Sequence, residues 1–271
     1  MKGVLVDLTQ CIGCGSCTVA CKMYNKNEWV EHKAPTDGEQ AQLAAENWTV
    51  VRKSVVKIGD NEVWRFAKQQ CMHCKDPACV SACPSRALQK TEVGPVLYYP
   101  RNCIGCRYCM IGCPFNIPKF EWANPIPKIK KCMMCAGRID KGEAPACVSV
   151  CPTNVMKFGE IDDLLAEAKE IVASDSRYQK HIYGEEEAGG TCWIYISDVP
   201  FEDLGFNTQV PKQSLPAITG PFMHNSPKLG GLWGLILAGL YFITRRNRVK
   251  AATQKNVETP EEDVKQSEPE A

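Results

Sequence analysis

Sixteen of the seventeen cysteines in this 271-residue chain fall into four groups of four. The groups are Cys11-Cys14-Cys17-Cys21, Cys71-Cys74-Cys79-Cys83, Cys103-Cys106-Cys109-Cys113 and Cys132-Cys135-Cys147-Cys151. Each opens with C-x-x-C and closes with C-x-x-x-C, and the last three close on Pro84, Pro114 and Pro152. Groups one and three have the full C-x2-C-x2-C-x3-C run, a spacing by which thiolates hold cubane iron–sulfur clusters. In such a run three thiolates serve one cluster and the fourth reaches a neighbour. The pattern predicts four [4Fe–4S] clusters in two pairs, with all sixteen grouped cysteines as iron ligands. The chemistry on offer is one-electron transfer.

Two other uses of cysteine compete. Disulfides belong mostly to short secreted domains, and this chain is long with an odd cysteine count. A stretch such as CIGCGSC also crowds its thiols too closely to pair them without strain. Zinc takes C-x2-C pairs, but four ligands per ion would leave the third cysteine of each tight run and the closing Cys-Pro without a role.

Short elements must carry these loops. Lys2 to Leu8, Val63 to Ala67 and Val96 to Tyr99 precede the first three groups as strand-like runs, and Val155 to Phe158 follows the fourth. A short helix is expected over Cys17 to Tyr24. Strand, cluster loop and helix, repeated, form a ferredoxin-like plan, so the expected class is α+β with two double-cluster units. Asn25 to Arg52 interrupts the plan as an insertion, carrying His32, Pro35, Asp37 and Gly38 and then an Ala-rich helical piece over Gln40 to Asn47. Ile161 to Ala173 is the clearest amphipathic helix, with Leu164, Leu165, Ala168, Ile171 and Val172 on a core-facing stripe. Thr191 to Ser197 reads as a buried strand, and the ungrouped Cys192 in it as a packed core thiol.

Composition bounds the rest. A net charge of +1 gives no basic face for nucleic acid, and 44% hydrophobic residues suffice for a modest core. Lys128, Lys130 and Lys131, just before Cys132, read as a solvated loop or as counter-charge to a thiolate-bound cluster. Of the four histidines, His32, His73, His181 and His224, only His73 lies inside a cysteine loop, where it is either a donor to a sulfur or an exposed residue. No catalytic constellation is evident: paired carboxylates, a Ser-His-Asp set, H-E-x-x-H and a glycine-rich phosphate loop are all missing from the sequence.

The expected organisation is a four-cluster domain over 1–200, a Pro-rich linker over 201–228, a transmembrane helix over 229–245 and a disordered cytoplasmic tail over 246–271. Leu229 to Thr244 contains no charge. As a helix it would be about 24 Å long, short of the roughly 30 Å hydrocarbon core. It is nevertheless apolar all round, has Trp233 and Tyr241 near its ends, and is followed by Arg245, Arg246, Arg248 and Lys250, which can snorkel. By the positive-inside rule the C-terminus is cytoplasmic and the cluster domain lies on the periplasmic side of the inner membrane. Met1-Lys2 runs straight into the first strand, so no signal peptide is expected there.

The chain resembles the iron–sulfur (β) subunits of membrane-bound respiratory oxidoreductases. The matching stretches are QQCMHCKDPACVSACPSRAL (69–88), CIGCRYCMIGCPFNIPKF (103–120), PACVSVCPT (145–153) and HIYGEEEAGGT (181–191). WTVVR (48–52) and CPFNIP (113–118) are most similar to formate dehydrogenase β subunits. CRYCM, YGEEEAGGT and the RRN after the apolar run also resemble the iron–sulfur subunit of quinone-linked periplasmic nickel–iron hydrogenases.

The resemblance implies interleaved ligands. Cys11, Cys14, Cys17 and Cys151 would hold one cluster, and Cys132, Cys135, Cys147 and Cys21 its neighbour. Cys71, Cys74, Cys79 and Cys113 would hold the third, and Cys103, Cys106, Cys109 and Cys83 the fourth. Some nitrate-reductase-type relatives have Trp at the position of Cys106; the cysteine here implies a full cubane. The first/fourth pair of groups would face a catalytic subunit, and the second/third pair an integral-membrane, quinone-reactive subunit. The implied role is non-catalytic electron transfer for a molybdopterin formate dehydrogenase or for a nickel–iron hydrogenase. A membrane-tethered polyferredoxin without a fixed enzyme partner is the third reading.

Overall fold

The structure, a computed structural model, describes residues 1–29, 41–122 and 124–257. In chain order the strands are β1 (Lys2–Asp7), β2 (Thr49–Ile58), β3 (Asn61–Gln70), β4 (Leu88–Lys90), β5 (Val96–Tyr98), β6 (Lys119–Phe120), β7 (Ile129–Lys130), β8 (Met156–Glu160) and β9 (Trp193–Ile196). The helices are α1 (Ser16–Asn25), α2 (Ala78–Ser81), α3 (Tyr108–Ile111), α4 (Ala136–Ile139), α5 (Ala146–Ser149), α6 (Ile161–Ser174) and α7 (Leu215–Val257). Two compact units result, Met1–Ile218 and Thr219–Ala271.

In the first unit β1 is the middle strand of a three-stranded sheet, antiparallel to β8 and parallel to β9. Side chains alternate across it, as a pleated strand requires. Leu5, Ile194 and Ile196 meet Ile161, Leu164 and Ala168 of α6 on one face. Val4, Val6, Trp193 and Tyr195 face the opposite way into a core that includes Cys17 and Cys147. Both faces are thus covered, and the strand-like runs read as apolar for that reason. A second, smaller core joins Leu88, Val96, Phe120 and Ile129 from the β4–β5 and β6–β7 hairpins to Cys79 and Cys109. The first core therefore takes in Cys11, Cys17, Cys147 and Cys151 together with Cys74, the smaller one Cys79, Cys83, Cys103 and Cys109, and a further cluster joins Cys71, Cys113 and Cys132 around Ile117.

The interruption in the repeat differs from the expectation. His32, Pro35, Asp37, Gly38 and Gln40 lie outside the described residues, but 41–47 are not helical. Trp48 Nε1 donates to the Ala45 carbonyl at 2.7 Å, and the backbones of Ala44 and Asn47 bond to each other, closing a tight turn that competes with a helix. Nor does the interruption extend to Arg52. Residues 49–52 already belong to β2, which pairs antiparallel with β3 from Thr49–Gln70 out to Ile58–Asn61. This hairpin turns through Gly59, at φ +61, and a glycine takes that angle without penalty.

The C-terminal segments differ too. Residues 215–228, expected as extended linker, are helical, with Pro221 and Pro227 inside α7. Each proline removes one backbone donor from the helix and is accommodated on an exposed face. The helix also takes in 246–257 of the expected disordered tail; 258–271 lie outside the described residues. Over Leu215–Thr253 it is long and apolar enough to cross a membrane. The helix continues beyond the sixteen-residue uncharged run at both ends, where Lys228 and Arg245-Arg246 flank it.

Candidate metal centres

The four cysteine loops share one backbone device. The residue before the second cysteine of each C-x-x-C is left-handed: Gly13 (φ 72), His73 (φ 49), Gly105 (φ 72) and Met134 (φ 52). Two positions use glycine, which carries no Cβ penalty there. His73 and Met134 adopt the same conformation with side chains only 1% exposed, so packing holds what local preference disfavours. The third cysteine of every group (Cys17, Cys79, Cys109 and Cys147) sits in a helix, α1, α2, α3 or α5, one turn before the closing cysteine. In the last three groups Cys-Pro ends that helix, since proline cannot continue it. Arg86, Asn116 and Asn154 then turn left-handed at φ 53, 49 and 52. Cys21 is followed by Lys22 instead, and α1 runs on to Asn25.

Through-space effects among the thiols show which of them stand together. Burial raises the pKa of Cys11, opposed by the Gly13 N–H, and Cys17, Cys151 and Cys14 raise it further. The same four line one pocket. Cys21 is pushed up to about 12 by burial, with Cys147 and Cys135 adding and Lys68 opposing. Cys132 is raised by burial and then by Cys21, Cys71 and Cys147. Cys74 is raised by burial and then by Cys71, Cys113 and Cys79. Cys109 rises to about 12 through burial and then Cys83, Cys103 and Cys106. These last four line a second pocket. The foursomes are also in reach of one another. Cys17 feels Cys147, Cys132 feels Cys71, and Cys79 feels Cys109.

This donor set fits iron–sulfur clusters. Thiols that are buried side by side resist ionising, and the positive charge of iron relieves both the burial and the mutual repulsion. All-thiolate sets are the soft ligands such clusters take. Amide donors already point at several sulfurs, with Ala87 N–H to Cys83 Sγ at 3.2 Å, Met134 N–H to Cys132 Sγ at 3.3 Å and Asn25 Nδ2 to Cys21 Sγ at 3.4 Å. Among the described residues no group of three or more His, Cys, Asp or Glu side chains is gathered closely enough to hold a single metal ion.

The other sequence-read residues are sorted by burial. Cys192 is fully buried, with Sγ 3.6 Å from the Gly94 carbonyl and 3.4 Å from Lys90 Nζ, and burial raises its pKa. His73 is not an exposed loop residue. Val96 N–H donates to its Nδ1 at 2.9 Å, which leaves the proton of the neutral ring on Nε2, and that atom has no protein partner among the described residues. Lys131 is buried rather than solvated, donating to the carbonyls of Val96 and Cys132, whereas Lys128 is exposed and Lys130 pairs with Glu121 at 3.1 Å. The HIYGEEEAGGT stretch is a structural clasp. Buried Glu187 accepts the Gly184 N–H at 2.6 Å and lies 2.6 Å from His181 Nε2. His224 lies exposed on α7. Sequence reasoning passed over Lys68 on β3, 2% exposed beside the first and fourth cysteine groups; its only signal was a charge beside the apolar Ala67 in a strand.

Four cysteine groups held by strand–loop–helix repeats define a class, the ferredoxin-like protein with two pairs of iron–sulfur centres. Family models described as "4Fe-4S dicluster domain" match residues 10–87 and 62–161. The chain is 40% identical to a protein of Nitratidesulfovibrio vulgaris over 99% of its own length and 73% of that protein's. It is 33% identical to the hydrogenase-2 operon protein HybA of Escherichia coli O157:H7, covering 90% of this chain and 84% of that one. To the iron–sulfur subunit of the nitrate-inducible formate dehydrogenase of Escherichia coli K12 it is 39% identical, over 71% of this chain and 66% of that subunit. The chain belongs to the family of iron–sulfur subunits of respiratory oxidoreductases, of the formate dehydrogenase β-subunit type, and carries four [4Fe–4S] clusters. It is an electron-transfer subunit of a formate dehydrogenase-type or hydrogenase-type complex.

Proposed function

We propose that the chain relays electrons between a molybdopterin formate dehydrogenase catalytic subunit and a quinone-reactive subunit in the inner membrane. The observation that carries this reading is the unbroken succession of thiol foursomes. Cys11, Cys14, Cys17 and Cys151 meet Cys132, Cys135, Cys147 and Cys21 through Cys17 and Cys147. That second set meets Cys71, Cys74, Cys79 and Cys113 through Cys132 and Cys71. The third set meets Cys103, Cys106, Cys109 and Cys83 through Cys79 and Cys109. Taken as four ligand sets, they form a line with two ends, and a relay between two partners needs two ends. Each bound cluster supplies a one-electron carrier. The chain's own residues hold the ligands, exclude water from the middle of the line, and leave one thiol exposed toward each end, Cys14 and Cys106. The first end would serve the catalytic subunit and the last the membrane subunit.

The membrane helix supports an anchoring role, with Arg245, Arg246, Arg248 and Lys250 after the apolar run and Lys228 alone before it. By that asymmetry the C-terminus is cytoplasmic and the cluster domain periplasmic. A hydrogenase partner is the second reading, favoured by the HybA match, which covers 90% of this chain against 71% for the formate dehydrogenase subunit. Purification of the native complex decides between them. Molybdenum or tungsten with formate oxidation is the expected result; nickel indicates the hydrogenase, and neither metal removes both.

A further inference from the structure

Lys68 on β3 is 2% exposed, in a region where a charge is costly. Its Nζ donates to Gln70 Oε1 at 2.6 Å and lies 4.5 Å from the centroid of the Trp193 ring. Gln70 Nε2 in turn donates to the Tyr195 hydroxyl. All three neighbours are neutral, and among the described residues no carboxylate forms an ion pair with Lys68. An ammonium in this setting would be expected to lose its proton. Trp193, under its ammonium, packs in one core with Cys17 of the first foursome and Cys147 of the second, so cluster-bound thiolates are the counter-charge within reach. Lys68 also lines the cavity formed by Cys11, Cys14, Cys17 and Cys151. It is therefore in the field of both the first and the second thiol foursome.

We propose that Lys68 is a built-in counter-charge shared by the first two clusters, which it holds at higher reduction potentials than their all-thiolate ligation alone would give. The inference rests on the ligand sets proposed above. A reduced cluster is more negative than an oxidised one, so a fixed positive charge at short range stabilises the reduced form. The low-dielectric surroundings and the neutral partners leave that charge unscreened. Lys68 does not touch the outermost foursome around Cys106, so that cluster should be indifferent to it.

The test is a potentiometric titration, followed by electron paramagnetic resonance, of the full-length holoprotein with Lys68→Met, Lys68→Gln and Lys68→Arg. Iron and labile sulfide are counted first. Fewer than four clusters in the unaltered protein would overturn the ligand sets and, with them, this inference. With four present, Lys68→Met and Lys68→Gln are expected to lower two midpoint potentials, one of them by at least tenfold in the reduction equilibrium constant, about 59 mV for one electron. The other two should hold, and Lys68→Arg should restore the original values. Four loaded clusters with no potential moved would overturn the inference while sparing the ligand sets. Should both neutral variants lose clusters while Lys68→Arg keeps them, a required charge is again indicated; loss in Lys68→Arg as well would show that shape, not charge, matters.

Discussion

Cys21 on α1 and Cys147 on α5 stand together, although one closes the first cysteine run and the other lies in the fourth. The two helices pack against each other, and that contact brings the beginning of the cysteine array onto its end. The closing cysteine of the first run is thereby brought beside cysteines of the fourth. This crossing makes the first unit a closed body rather than a string of loops.

Metal content follows directly. Anaerobically purified protein should contain about sixteen irons and as many labile sulfides, with negligible zinc. Cys106→Ser should lower the count by about one cluster's iron, because the exposed thiolate of its proposed foursome is lost. Cys192→Ala should leave the count unchanged, its sulfur being packed between Gly94 and Lys90. A cluster lost with Cys192 would show the ligand sets to be wrong.

The clasp at Gly184 and Glu187 should matter for stability without altering the metal count of folded protein. Glu187→Gln replaces a charged acceptor of two short hydrogen bonds and should cost roughly 1–3 kcal/mol. Gly184→Ala should cost more, on the order of 3 kcal/mol. The residue sits at φ +97, and a Cβ would run into the Trp193 carbonyl and come within 2.6 Å of Thr191 Oγ1. Thermal loss of the visible cluster absorbance reports both, and equal melting of all three proteins would refute the clasp.

Removing 229–271 should separate anchoring from conduction. The helix contains none of the sixteen grouped cysteines, so cluster absorbance and dye-linked substrate oxidation by the complex should persist. Release from washed membranes should rise and quinone reduction should fall, because a single helix adds binding energy and position. Unchanged attachment and quinone turnover would make the helix dispensable.

Sidedness is open to a direct check. A reporter fused after Ala271 should signal a cytoplasmic location, given the four basic residues over 245–250. Protease added to spheroplasts should reach the cluster domain. Protection of that domain, with digestion only after lysis, would reverse the proposed orientation.

The sequence alone determined the cofactor, because three ligands of a cubane come from one tight run and their spacing is a local property. It likewise determined β1, α6 and β9, whose apolar patterns match the faces they bury. Local patterning failed where neighbours distant in the chain decide the outcome. The alanines at 44 and 45 suggested a helix, but Trp48 closes a turn there; the prolines at 221 and 227 suggested extended chain, but α7 absorbs both. Which cysteines of different groups come to stand together was decided by packing, as when α1 meets α5. The same is true of Lys68 and Lys131, charges that look like surface residues in the sequence and are buried beside thiolates in the fold. A residue's type reveals its charge, but only the stacked elements around it decide whether water or sulfur will face that charge.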